Sequence, residues 1–215
     1  MIERKKIICH KVHARKVECK SVIPAPIKNF KHSLCFLESG EINMDEKRTR
    51  IFMTMAYLVA MSSKDLRTKI GAVVVGPDKE VRSTGYNGLP RGCKDDCVAR
   101  QHRPDKYFYF EHAERNAIYN AARMGLSMKG CAMYTLDIPC ADCARAIIQS
   151  GINEVVYHTS WNDGNSIKWK ESVEYSKIMF EESGVKLIGW DGEILSLTSL
   201  QHGKLIKYNK ETTND

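Results

Sequence analysis

Two short segments carry residue types and spacings that can do chemistry. In Pro139-Cys140-Ala141-Asp142-Cys143, two thiols stand three residues apart. On a helix that spacing is one face, so both sulfurs can reach a single ion. In His112-Ala113-Glu114, an imidazole stands two residues before a carboxylate, a metal ligand or base beside a group able to carry a proton. Each segment alone is ambiguous. A Cys-x-x-Cys in a cytosolic αβ protein also serves as a redox pair, and His-x-Glu is short enough to occur by chance. A structural zinc is a third reading, although such sites usually take four protein ligands. Two thiols and one imidazole instead leave a fourth tetrahedral position open, as a catalytic zinc requires.

These segments need a frame that brings them together, and from Met44 onward helix and strand alternate. Asp45 and Glu46 suit a helix N-terminus, and Ile51, Met55, Leu58, Val59 and Met61 recur at helical spacing up to Ser62-Ser63. Ile70–Val75 and Glu80–Tyr86 read as strands joined by the turn Gly76-Pro77-Asp78-Lys79. Residues 87–107, rich in Gly, Pro and charge, read as a long functional loop. Further on, helices are predicted over about His112–Met124, Cys140–Ser150 and Lys168–Ser183, and strands over Cys131–Leu136, Glu154–His158 and Val185–Trp190. Gly125 and Gly151 fit C-caps. Pro139 leaves both cysteines in a first helical turn, where the positive end of the dipole favours thiolates. Two strands followed by repeated αβ units imply an α/β fold, with a mixed central sheet of about five strands in a three-layer α/β/α arrangement.

Composition bounds the setting. The chain is 43% apolar and 27% charged, which fills a core and excludes a disordered tail. Its longest apolar stretch, Met53–Met61, is about half a membrane span, and Met1–Lys20 is charged throughout with no signal-peptide core. The eight cysteines are therefore expected to be reduced, in the cytoplasm. The net charge of +7 does not mark a nucleic-acid footprint. Residues 1–43 hold nine Lys or Arg against four Glu, leaving 24 against 22 acidic residues elsewhere. Residues 1–43 read as a basic, dispensable extension, 44–200 as the domain and 201–215 as a polar tail. Cys9, His10, His13, Cys19, His32 and Cys35 offer metal donors in the extension, without a close Cys-x-x-Cys knuckle.

The two chemical segments, in this order, resemble the zinc-deaminase signature H-x-E…P-C-x-x-C. Over roughly residues 47–190 the chain resembles the deoxycytidylate (dCMP) deaminase family. The likeness rests on Lys69-Ile70-Gly71-Ala72-Val73-Val74-Val75, Gly85-Tyr86-Asn87-Gly88-Leu89-Pro90, Arg103-Pro104-Asp105-Lys106-Tyr107, Glu111–Ile118 and Pro139–Ala144. Free-cytidine deaminases usually carry Cys where His112 stands. tRNA adenosine deaminases typically show Gly-Trp-Asn-Arg in place of Gly-Tyr-Asn-Gly, and riboflavin-pathway deaminases look less like the Gly-Tyr-Asn-Gly-x-Pro segment.

The resemblance implies a cytidine-deaminase-like version of the α/β/α fold and hydrolysis of dCMP to dUMP and ammonia. It implies zinc on His112, Cys140 and Cys143, with Glu114 as proton shuttle. Asn87 would contact the nucleoside and the Ala113 backbone would face the pyrimidine edge, while a plain turn role for Asn87 before Gly88 stays open. It further implies an allosteric nucleotide site around Gly85–Gly92, activated by dCTP with Mg2+ and inhibited by dTTP, in a homo-oligomer that is often a hexamer. Phosphate contacts are sought among Arg67, Lys69, Arg91, Lys94, Lys106 and Arg115, and contacts to an allosteric nucleotide or phosphate among Gly88, Arg91, Lys94, Lys106 and Arg115. Cys93, Cys97 and His102 offer three of the four donors of a second, structural zinc, or are reduced surface groups. Cys131 reads as an inert core residue. The rival readings are a deaminase of dCTP or of a tRNA base, and a zinc-stabilised nucleotide-binding protein without turnover.

Overall fold

The computed structural model describes residues 44–161, 169–196, 198–201 and 204–207. The N-terminal extension and its candidate donors lie outside the described residues, as do 208–215. Helix α1 (Met44–Ala60) leads into the antiparallel strands β1 (Gly71–Val75) and β2 (Val81–Tyr86). After the one-turn helix α2 (Lys106–Tyr109) come α3 (Ala113–Arg123), β3 (Ala132–Thr135), α4 (Ala141–Ser150) and β4 (Glu154–His158). The helix α5 (Lys170–Ser183) and strand β5 (Lys186–Trp190) complete the layered unit. A separate hairpin pairs β6 (Thr198–Gln201) with β7 (Lys204–Lys207).

The five-stranded sheet runs β2-β1-β3-β4-β5. β1 is antiparallel to both its neighbours, whereas β3, β4 and β5 are parallel and connected through α4 and α5. Both faces of the sheet are covered, which explains why β1 is apolar and buried at all five positions. Ala72 and Val74 point into a core shared with α3, α4 and α5, and Val73 and Val75 into one shared with α1. This is the three-layer α/β/α arrangement with a mixed five-stranded sheet that the alternating pattern implies.

The two faces are packed differently. Large side chains fill the α1 side, among them Phe52, Met53, Leu136 and Trp190. On the other side α3 presents Ala113, Ala117 and Ala121, spaced by four and fully buried, so its backbone lies close to the sheet. Gly85 completes that approach, because a Cβ there would stand 2.2 Å from the Ala113 carbonyl oxygen and 2.3 Å from the Ala117 nitrogen. Polar bonds then lock the helix along the edge strand β2. Ser83 Oγ donates to the Ala117 carbonyl (2.7 Å), and the Asn116 and Asn120 side-chain amides donate to the carbonyls of Tyr86 (2.8 Å) and Thr84 (2.7 Å).

Observed boundaries fall within about two residues of the pattern-based ones. Two features differ. The 87–107 stretch contains a single 3-10 turn (Val98–Gln101) and the start of α2. The hairpin β6–β7 runs across residue 200, where the sequence reading ends the domain. No described helix is long and apolar enough to cross a membrane.

Candidate metal centre

Two helix N-termini converge on one point. His112 is the N-cap of α3 and Cys140 the N-cap of α4, each in extended backbone conformation and neither spending its side chain on a cap bond. Cys140 therefore precedes the first turn in which the pattern placed it, and Cys143 lies within that turn. His112 Nδ1 stands 3.5 Å from Cys140 Sγ and 3.5 Å from Cys143 Sγ. A tetrahedral zinc, ~2.0–2.1 Å from nitrogen and ~2.3 Å from sulfur, sets such atoms about 3.6 Å apart. The donor set fits the ion in kind and in spacing. Among the described residues it is the group of three such side chains whose donor atoms all lie within 4.8 Å of one another.

Protonation follows from the crowding. Cys140 is held down to about 4, first because Cys143 hydrogen-bonds to it and then, against burial, because His112 does the same. Cys143 is pushed well above its ordinary value, since it supplies that bond and is deeply buried. Burial drives His112 down, but the bond with Cys140 and the charges of Glu114 and Cys140 outweigh it and leave the imidazole raised. The cluster thus holds protons that a divalent cation would displace. Glu114, buried in the first turn of α3, lies 3.7 Å from the Cys143 thiol. Burial is the main reason its carboxyl sits above the ordinary carboxylate range.

A buried carboxylate, Asp65, ties together the segments that carry Asn87 and Lys106. Asp65 Oδ1 accepts from the backbone nitrogens of Arg67 (2.8 Å) and Thr68 (3.1 Å), and Lys106 Nζ lies 2.6 Å from the same carboxylate. Asn87 is nearly saturated. Its Nδ2 donates to Asp65 Oδ2 and the Thr68 carbonyl, both at 2.9 Å, and its Oδ1 accepts from the Ile70 nitrogen at 2.8 Å. Asn87 is thus neither an open turn residue nor a free hydrogen-bond donor. Gly88 next to it pairs by backbone with Glu111, immediately before His112.

The other basic candidates separate by partner. Lys106 is committed to Asp65. Arg115 pairs with Glu111 and, at 3.6 Å, with Asp142. Arg91 bonds the Asn120 side chain and lines a groove of about 220 Å³ with Tyr86, Gly88 and Asp95. Lys94 and Arg67 are exposed and Lys69 is half-buried. The second zinc set is not assembled. Cys93 and His102 are exposed in the loop, Cys97 caps the 3-10 turn without a side-chain bond, and these three do not converge. No helix or strand holds them in register. Cys131 is fully buried, with burial raising its thiol.

The family model described as the cytidine and deoxycytidylate deaminase zinc-binding region matches residues 46–159, more than half of the chain and all of this site. The chain belongs to the cytidine and deoxycytidylate deaminase family. Relatives within this family include the deoxycytidylate deaminases of Homo sapiens and Mus musculus, 38% identical over 141 residues, covering 62% of this chain and 74% of theirs. The deoxycytidylate deaminase of Enterobacteria phage T4 is 34% identical over 158 residues, covering 55% of this chain and 81% of its own. Among solved structures, the apo dCMP deaminase of cyanophage S-TIM5 superposes with a TM-score of 0.51 at 27% identity, covering 67% of this chain and 98% of that one. The same enzyme in complex with dCMP and dUMP gives 0.53 at 23% identity, covering 70% and 100%, a likeness of fold.

Around the deaminase site stand Trp169 and Asp65, which lie outside the quoted motifs, together with Tyr107 and Glu111, which close and open two of them. Trp169 sets its ring edge-on to His112, with centroids 5.6 Å apart, and Tyr107 meets Trp169 in the same way. Asp65 organises the Asn87 side chain, and Glu111 accepts from the backbone nitrogen of His112 at 3.1 Å. Of the two outside the motifs, Asp65 leaves a trace in the sequence, as a carboxylate just after Ser62-Ser63 that can cap the next turn.

Proposed function

We propose that this chain hydrolyses dCMP to dUMP and ammonia, supplying the precursor of dTMP. The observation that carries the reading is the convergence of His112, Cys140 and Cys143 beside the buried carboxylate of Glu114. The 38% identity to deoxycytidylate deaminases supports dCMP among the cytosine nucleotides.

His112, Cys140 and Cys143 hold the zinc, which when bound supplies a water nucleophile at neutral pH by lowering its pKa to roughly 7. Glu114 moves the protons. It accepts one from the attacking water as oxygen adds to C4 of the cytosine, and delivers it to ring N3. It then takes the proton of the new C4 hydroxyl and gives it to the amine; the C4–N bond breaks, ammonia leaves and the 4-oxo group of uracil forms. The Ala113 backbone faces the pyrimidine edge. Asn87 has both amide hydrogens spent within the protein, so it meets the nucleoside through the second lone pair of Oδ1, accepting from a sugar hydroxyl.

The enzyme is cytoplasmic and a homo-oligomer, activated by dCTP with Mg2+ and inhibited by dTTP, and residues 1–43 are dispensable for turnover. The groove beside Gly88 and Arg91 is smaller than the usual 300–1,000 Å³ of a ligand site, so it holds part of a triphosphate and leaves the rest in solvent. Ammonia release is measured separately with dCMP, dCTP, deoxycytidine and an RNA hairpin. The reading expects dCMP to be the preferred substrate, with sigmoidal dependence that dCTP makes hyperbolic. Preferred turnover of the hairpin or of dCTP replaces the substrate, and zinc-loaded protein without turnover on any of them removes the enzyme.

A further inference from the structure

Each donor of the metal centre stands at or near the start of a helix, and something must hold two positive helix ends together. Arg115 is the side chain that reaches both. It lies in the first turn of α3, and one terminal nitrogen pairs with the Glu111 carboxylate. The same Glu111 oxygen accepts from the backbone nitrogen of His112 at 3.1 Å. The other terminal nitrogen lies 3.6 Å from Asp142, which stands between Cys140 and Cys143 and also pairs with Arg145. A continuous run of alternating charge therefore passes from the α4 N-terminus through Arg115 to the main chain of the histidine donor.

The two arms differ in weight. Arg115 and Glu111 are each 22% exposed and stand four residues apart, in direct contact. Asp142 is 55% exposed and more distant, and an exposed pair of that kind contributes little. Glu111 is itself fixed, its backbone bonded both ways to Gly88 at 2.8 and 3.0 Å. The Arg115–Glu111 pair thus anchors the backbone that carries His112.

We propose that Arg115 is a positioning residue for the metal centre, acting chiefly through Glu111 on His112 and secondarily through Asp142 on the cysteine helix. This rests on the zinc reading of the site. Partners that orient metal ligands typically alter metal affinity ~10–100-fold when removed.

The test is the rate at which the zinc-loaded full chain releases metal to a chromophoric chelator, at a temperature where the metal-free forms remain folded by near-UV circular dichroism. Arg115→Met should release zinc about 10-fold faster, with Arg115→Lys recovering part of the difference through charge without the fork. Glu111→Gln, nearly the same shape and able still to accept from His112, should reproduce most of the Arg115→Met effect and add nothing on top of it. Asp142→Asn should stay within about twofold. Release from Arg115→Met within about threefold of the wild type, or an effect additive with Glu111→Gln, overturns the proposal. If Arg115→Met does not fold, Glu111→Gln and Arg115→Lys decide by the same threshold. A wild-type chain that binds no zinc fails the reading of the site instead.

Discussion

Among the described residues, two candidate sets of two cysteines and one histidine meet opposite fates. Cys93, Cys97 and His102 are neighbours in sequence, yet they do not converge. His112 and Cys143 are 31 residues apart and come within 3.5 Å. The difference lies in what carries the donors. The first set hangs on a loop whose regular structure is one 3-10 turn, held by its own bonds in a shape that keeps the donors apart, so an ion would have to rearrange that backbone. The second set sits at the N-termini of α3 and α4, and the sheet orients both helices before any ion arrives. Proximity in sequence is a weak guide to a metal site; an element junction is a strong one.

That contrast can be broken most decisively at Cys140. Cys140→Ala should lose both bound zinc and measurable turnover, leaving a folded chain with about zero zinc by elemental analysis, because two remaining donors hold the ion poorly. A variant that keeps one zinc per chain would move the metal to the other cysteines. Next in size is Glu114→Gln, for which zinc should stay at one per chain while kcat falls at least ~10²-fold, the usual scale of general acid–base catalysis. Wild-type kcat in that variant would take the proton shuttle away from Glu114.

A smaller effect tests the frame. Gly85→Ala forces a Cβ against the backbone of α3, whereas Gly71→Ala forces one to 2.1 Å from the Ala56 carbonyl oxygen in α1, on the opposite face. Both should cost about 1–3 kcal/mol in denaturant unfolding. Only Gly85→Ala should also speed zinc release to a chelator, and equal release rates would show that α3 holds its donors independently of its seat on β2. The smallest effect is expected where the loop set is removed. Cys93→Ser with Cys97→Ser should leave zinc at one per chain and turnover within about twofold, and a loss of half the metal would show that the loop set binds after all.

The layered core is legible in the sequence because a sheet covered on both faces writes its strands as unbroken apolar runs. Gly71–Val75 is the plainest case, and the helix stops at Gly125 and Gly151 frame the units between. The donors are legible for a related reason. A proline before Cys-x-x-Cys marks a helix start, and helix starts are where this sheet delivers side chains to a common point. The Asp65 network is not legible. Lys106 and Asn87 reach that carboxylate from 41 and 22 residues away, and such a meeting leaves no local period. Asn87-Gly88 carries a strong turn signal, which describes the backbone and conceals an amide with both hydrogens engaged within the protein. Short elements escape for want of length, as α2 and the four-residue strands of the β6–β7 hairpin do.

The outer rim of β2 has a consequence for how copies of this chain meet in a crowded solution. An edge strand with open carbonyls is a template on which another strand can add. Here the carbonyls of Thr84 and Tyr86 are already occupied by the side chains of Asn120 and Asn116. A foreign strand would first have to evict both amides to reach those carbonyls, so this margin is guarded against sheet-to-sheet fusion.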